Sequence, residues 1–230
     1  DLRWGGAETG TVGYPCWSTF PAPCSHHKRI ESQKDQIALL KQGDPEGKYW
    51  VPAMADSPLR GANGRHEWFC EPDDENNIYP LTTLMDMYEK SVGRNATLII
   101  GLTPDPDGLL PAGDEQRLKE WGEEINRRFG TPLVETQGRK QRLTLNLNEK
   151  QPVNYCIIQE DITKGERIRQ YKIEAKVNGK WQTVCSGESV GHKRIAHFES
   201  VETTALRLTV TQSVALPAIS YFSAYNVTLK

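Results

Sequence analysis

The sequence predicts an α/β portion followed by an all-β portion: the C-terminal half of a (β/α)8-like barrel over residues 1–134, then a jelly-roll-like β-sandwich over residues 135–230. Three observations lead there. Residues 80–129 read helix, short apolar strand, loop, helix, which is half of an alternating α/β pattern and fits the last units of a barrel. Beyond Gly130 the character changes to short runs of alternating apolar and polar residues with no helical period. The opening run Asp1-Leu2-Arg3-Trp4 alternates in the same way and is broken by Gly5-Gly6, so the sequence begins on a strand and its following loop. The remaining half of the barrel is therefore expected upstream of Asp1.

Each element follows from its own pattern. Residues 1–25 are loop-rich, with Pro15, Pro21 and Pro23. The polar stretch SHHKRIESQKDQIALLKQG predicts a short helix that ends before Gly43-Asp44-Pro45. YWVPAMAD is apolar and is followed by a long loop through PLRGANGRHEWFCEPDDENN. In TTLMDMYEKSVG, Leu84, Met87, Tyr88 and Val92 recur at helical spacing, and Gly93 suits the C-cap. NATLIIGL has the pattern of a strand buried on both faces. In the next helix Leu118, Trp121, Ile125 and Phe129 form the apolar stripe, with Asp114 as its expected cap. RLTLNL, YCIIQ, YKIEAKV, KWQTVC, RIAHF, ALRLTV and YNVTL are read as sandwich strands, with turns at Asn178-Gly179, Ser186-Gly187 and Pro217. The boundary between the two portions falls near Thr131–Arg139.

Composition excludes some functions. The net charge is −2 and acids and bases are interspersed, which offers no nucleic-acid or anionic-membrane surface. No apolar run approaches the ~20 residues needed to span a bilayer. The five cysteines lack C-x-x-C spacing, so a zinc site is not expected. Cys16 and Cys24 could pair across a Pro-rich loop, but the odd count favours free thiols. His26-His27 are adjacent and would point to different helix faces, with no third ligand nearby. EPDDENN, with Glu71, Asp73, Asp74 and Glu75, lacks the glycine and ligand spacing of a calcium loop, and GLTPDPDGLLP lacks that of a phosphate loop. No metal or cofactor is expected.

Glu8 is the candidate for chemistry, because it lies on a Gly- and Pro-rich loop among Arg3, Trp4 and Trp17 at a strand's end. A carboxyl group among aromatics tends to a raised pKa, which suits a general acid. Aromatic faces are also the usual platform for the apolar side of a sugar ring. Arg3 could donate to sugar oxygens or equally form a salt bridge. In HEWFC, Trp68 and Phe69 could close an apolar pocket or staple the core under a long loop. In the sandwich, Asn154, Trp181, His192 and Arg194 show no catalytic spacing. Covering and propping the barrel is the simplest role for that portion.

Several stretches together resemble the α-L-fucosidases of glycoside hydrolase family 29. DLRWGGAETG–YPCWST resembles the family's D-I-R-W-V-G-N-E-x-G…N-W-S-T. WVPAMADSPLR–HEWFCEPDDE resembles W-V-P-A-E-x-D-x-S-I-R-x-G-W-F-Y-H-P-x-x-D, and DMYEKSVGRNATLIIGLTPDPDGLL resembles D-I-Y-Y-x-S-V-G-R-N-A-x-L-L-L-N-x-P-P-D-x-x-G-L-I. IIQEDITKGERI, GKWQTVCSG and VGHKRIAHF resemble its sandwich. The similarity covers nearly the whole chain and is strongest to the branch with plant and Bacteroides-type enzymes acting on α-1,3/1,4-linked fucose.

That resemblance implies a retaining exo-glycosidase with a (β/α)8-like barrel and a β-sandwich, acting on fucosylated glycans without a cofactor. Retention needs two carboxyl groups roughly 5–5.5 Å apart. By position Glu8 matches the acid/base, Arg3 an arginine on the fucose ring, and Trp68 an aromatic packed on the sugar near its methyl group; Trp17 and Asp56 also fall on motif positions. The nucleophilic Asp and the fucose-binding histidines would precede Asp1, so the N-terminal half of the same enzyme is the implied partner. Secretion, a periplasm or the cell surface is the family's usual habit. Two departures, Ala7 for the motif's Asn and Met54 for its Glu, bear on aglycone preference, and the polar stretch around residues 26–47 has no counterpart in the motifs. The alternative is a non-catalytic carbohydrate-binding or scaffold chain.

Overall fold

The computed structural model of the chain describes residues 2–23, 33–65, 67–71 and 74–229. Cys24, His26, His27 and Asp73 lie outside the described residues, so the readings placed on them are not followed further. In chain order the first portion runs β1 (Arg3–Trp4), β2 (Thr19–Phe20), α1 (Gln33–Gln42), β3 (Tyr49–Trp50), β4 (Ala53–Pro58), α2 (Leu81–Lys90), β5 (Ala96–Gly101) and α3 (Ala112–Phe129). β1, β4 and β5 form a parallel sheet in that order, while β2 and β3 pair as a small antiparallel ribbon.

The parallel sheet has one dry face and one open face. On the dry side Ala53, Ala55 and Leu98 pack with Val12 and Cys16, while Leu98 and Ile100 meet Leu59, Leu84 and Met87 and, from α3, Leu118 and Trp121. Leu2, Trp4, Thr97 and Ile99 are exposed on the other side. The expectation that NATLIIGL is buried on both faces is therefore corrected. β5 is an edge strand, and its second face is open at Thr97 and Ile99.

Two cap readings change as well. α2 stops at Lys90, with the Ser91 hydroxyl donating back to the Met87 carbonyl at 2.6 Å, so Gly93 lies past the cap. Pro111, not Asp114, precedes α3, and its fixed φ suits a helix start. Asp114 turns inward instead and is fully buried. The stripe of α3 faces the predicted side but is only half-buried.

The second portion consists of β6 (Val134–Gly138), β7 (Arg142–Glu160), β8 (Ile168–Val177), β9 (Lys180–Gly187), β10 (Arg194–Ser213) and β11 (Ile219–Tyr225). They form one antiparallel sheet in the order β6-β11-β7-β10-β8-β9. The short runs RLTLNL and YCIIQ are two ends of the single strand β7, and RIAHF and ALRLTV are two ends of β10. Register shifts between His197 and Val201 and between Thr203 and Ala205 interrupt the β7–β10 pairing, as bulges do where a sheet bends. The sheet folds over on itself there, because Leu145, Ile158, Ile173, Leu206 and Phe222, from both halves, share one core. The buried Thr203 hydroxyl bonds Lys176 and Ala205 backbone groups at the bend. Asn178-Gly179 makes the predicted two-residue hairpin with both φ angles positive.

The two portions are stitched together by polar contacts under the loop that follows β1. Asn95, held at φ 66°, sends its side-chain amide to the Cys16 carbonyl at 3.1 Å, the Ser18 hydroxyl at 3.2 Å and the Glu166 carboxylate at 2.5 Å. Its side-chain carbonyl accepts from His192 N–H at 2.7 Å. Glu166 also takes the Ser18 N–H at 2.9 Å. Arg194 donates to Gly93 O and lies over the Tyr14 ring at 4.1 Å. Beside them Phe129 of α3 meets Tyr155 and Tyr225 of the sandwich edge-on at 5.6 and 5.7 Å. Cys16 is a buried free thiol at this junction, so it makes no disulfide, and burial pushes its pKa up to about 12.

Two outcomes follow from this packing. Asn95→Ala removes four hydrogen bonds and leaves Glu166 short of a donor, and it should cost about 2–4 kcal/mol in urea unfolding. Asn95→Gly, which keeps the backbone conformation and loses the amide, should be nearly as damaging; a mild Asn95→Gly would locate the effect in the backbone. Separately, Arg207, Lys172 and Thr209 donate to Glu174 and pull its carboxyl down to about 2. A depressed acid stabilises above its unfolded pKa and loses that contribution as pH falls. Stability should therefore drop between about pH 4.5 and 2, and Glu174→Gln should flatten that part of a Tm-against-pH curve.

Candidate active site

A group of polar and aromatic side chains gathers where the parallel strands end. β1 is held on β4 by Arg3 N–H to Pro52 O and Gly5 N–H to Met54 O, both 2.8 Å, and Gly10 N–H returns to Asp56 O at 2.8 Å. The loop between Gly5 and Gly10 is thus pinned along β4, and Glu8 sits at its apex, half-buried. On the open sheet face Trp4 donates its indole N–H to Asp56 Oδ1 at 2.7 Å. From the long loop after β4, Trp68 donates its indole N–H to Glu8 Oε2 at 3.2 Å. Glu8, Trp68, Trp4 and Asp56 therefore share one edge, the C-terminal ends of parallel strands, where barrel sites are built.

Two of the sequence-predicted residues lie elsewhere. Arg3 is fully buried on the opposite side of β1, donating to Leu40 O at 2.7 Å, Val51 O at 2.7 Å and Trp17 O at 2.9 Å, with Phe20 beneath its guanidinium at 5.3 Å. Alternation along a two-residue strand places Arg3 and Trp4 on opposite faces, so only one can reach the open side. Arg3 ties the first loops together on the face of β1 away from Trp4. Trp17 is buried at 4% exposure, with Arg169 of the sandwich over its ring at 4.8 Å, and is likewise a junction residue. Phe69, expected to close a pocket or staple the core, does neither and is 83% exposed.

The loop that carries Trp68 is anchored from below by a pair that sequence reasoning missed. Arg60, 2% exposed, donates through Nε and Nη2 to Asp114 Oδ1 at 3.1 and 2.8 Å. Arg60 O accepts the Glu67 N–H at 3.3 Å, so the ion pair fixes the backbone one residue from Trp68. An Arg in PLRGANGR and an Asp in PAGDEQ are too far apart in sequence for any spacing rule to link them. The remaining loops are structural: Asp105 Oδ1 accepts the N–H groups of Asp107 and Leu109 and shapes GLTPDPDGLLP. Among the described residues no group of His, Cys, Asp or Glu side chains could hold a metal ion.

The F5/8 type C domain profile matches residues 127–221, which hold the sandwich strands from β6 through the start of β11. A crystal structure of a Bacteroides thetaiotaomicron VPI-5482 protein provisionally assigned as an α-L-fucosidase is 74% identical, with a TM-score of 0.95 over 99% of this chain and 51% of that one. The α-L-fucosidase 1 of Arabidopsis thaliana is 29% identical over 98% of this chain and 49% of its own length. A Ruminococcus gnavus GH29 fucosidase in complex with fucose is 25% identical, with a TM-score of 0.82 over 99% of this chain and 51% of that one. Over nearly its whole length the chain is similar to proteins of glycoside hydrolase family 29. It spans about half the length of the family 29 relatives it matches.

The buried anchor gives a direct test. Arg60→Ala would leave Asp114 charged and fully enclosed, and should cost about 3–5 kcal/mol in urea unfolding, whereas the double change Arg60→Met with Asp114→Leu should cost much less. Equal losses for the two would show that shape at Arg60, and not the unpaired charge, sets the cost.

Proposed function

We propose that this chain is the acid/base-bearing half of a retaining exo-α-L-fucosidase that removes terminal α-linked L-fucose, in α-1,3 or α-1,4 linkage, from glycans. The observation that carries the reading is Glu8 at the C-terminal edge of a parallel sheet, gripped by the indole of Trp68. Residues 1–134 then supply the last barrel units, and residues 135–230 the sandwich that braces them. The open face of β1, β4 and β5, with Leu2, Trp4 and Ile99 exposed, suits closure by the preceding half of the same enzyme, which would bring the nucleophilic Asp and the histidines on the sugar hydroxyls. No helix among the described residues is long and apolar enough to cross a membrane, and export to the periplasm, the cell surface or the medium is part of the same proposal.

In the first step Glu8 gives its proton to the glycosidic oxygen while the upstream carboxylate attacks the anomeric carbon and the aglycone leaves as an alcohol. In the second, the Glu8 carboxylate takes a proton from water, whose oxygen displaces the ester, so configuration is retained and Glu8 is reprotonated. Trp68 holds one Glu8 oxygen and presents its ring beside the sugar position. Asp56, oriented by Trp4, lines the same side.

Glu8→Gln in the full-length enzyme should lower turnover of fucosides with poor leaving groups by about 10²–10⁴-fold and affect activated aryl fucosides far less. Equal loss on both classes would remove Glu8 from the acid's role. No turnover of any fucoside by the intact parent enzyme would favour the carbohydrate-binding reading.

A further inference from the structure

In this chain a side chain is missing beneath the Trp68 ring that reaches Glu8. Gly101, the last residue of β5, faces the indole so closely that a Cβ there would lie 2.3 Å from Cζ3 and 2.6 Å from Cε3. Real Cβ atoms essentially never approach that closely, so the ring would have to shift and carry its N–H with it. The seat is itself firm: Leu59 N–H bonds the Gly101 carbonyl at 2.9 Å, Pro58 is its register partner on β4, and the buried Arg60–Asp114 pair fixes the loop above. We propose that Gly101 is a positioning residue, whose bare backbone seats the Trp68 ring and thereby aims the indole N–H at the Glu8 carboxyl. The inference rests on Glu8 being the acid/base for its catalytic meaning, but not for its geometry.

The consequence is specific. With Gly101 in place, the Trp68 indole holds Oε2 of Glu8 and helps set how the carboxyl is turned toward the leaving oxygen. A methyl group at 101 lifts the ring and takes its hydrogen bond away from Glu8 Oε2, which hurts proton delivery more than sugar binding. Gly101→Ala in the full-length enzyme should therefore lower kcat on poor leaving groups by about 10-fold or more, with a smaller loss on activated aryl fucosides and KM nearly unchanged. In a Trp68→Phe background, where the indole donor is already gone and the ring is smaller, the same Gly101→Ala change should cost little further.

A second readout does not need activity. In this chain, Glu8→Gln should shift the indole N–H resonance of Trp68, identified by its loss in Trp68→Phe, and Gly101→Ala should abolish that response. If the intact parent enzyme turns over no fucoside, the proposed function fails, and the resonance experiment still decides the role of Gly101. The inference is overturned if the resonance response survives Gly101→Ala. It is equally overturned if the kinetic losses of Gly101→Ala and Trp68→Phe simply add. Should Gly101→Ala alone fail to fold while the double variant folds, the clash with the Trp68 ring is the cause, as proposed.

Discussion

The structure depends on one buried amide meeting one buried carboxylate across the two portions of the chain. Asn95 stands at the start of β5 and Glu166 just before β8, and the contact between them also draws in Cys16, Ser18 and His192. The loop after β1 is thereby fixed against both the barrel strands and the sandwich. A backbone held at positive φ is unfavourable for most residues, and Asn is among the few that adopt it readily. That choice lets one side chain face four partners at once. Buried polar networks of this kind are worthwhile only when every member is satisfied, because an unpaired group in a dry junction costs more than the bond itself contributes.

From that junction the site follows mechanically. The loop bearing Glu8 starts on β1, whose register on β4 is set by Arg3–Ala53 and Trp4–Met54 pairing. Arg3 fills the space beneath, and Trp4 takes the opposite face, where Asp56 meets it. The loop bearing Trp68 leaves β4 and is held over β5 by Arg60 and Asp114. Glu8 and Trp68 come from separate loops, so their 3.2 Å contact reports how well both supports are placed. The sandwich's part is to hold Trp17, Cys16 and Tyr14 in the loops behind this edge.

Much of this was legible in the sequence. Period-3.6 and period-2 patterns located α2, α3 and most strands, and the change of character after Gly130 separated the two portions. The motif around Glu8 and Trp68 brought those two residues forward, and they do meet. What failed to read through had physical causes. Alternation over two residues does not say which of Arg3 and Trp4 faces the open side. Apolar runs joined by a polar stretch, as in RLTLNLNEKQPVNYCIIQ, look like two strands although a bend carries one strand across both halves of the sandwich. Asn95, Glu166, Arg60, Asp114 and Gly101 matter through contacts between distant segments, and no local spacing encodes those.

The most direct measurement of the central claim is the stereochemistry of azide rescue in Glu8→Ala of the full-length enzyme. With an activated aryl fucoside, azide should restore turnover and yield the α-fucosyl azide, because the missing group is the acid/base and the upstream ester still forms first. The β-fucosyl azide would mark Glu8 as the nucleophile instead, and no rescue at all would contradict its role in the reaction.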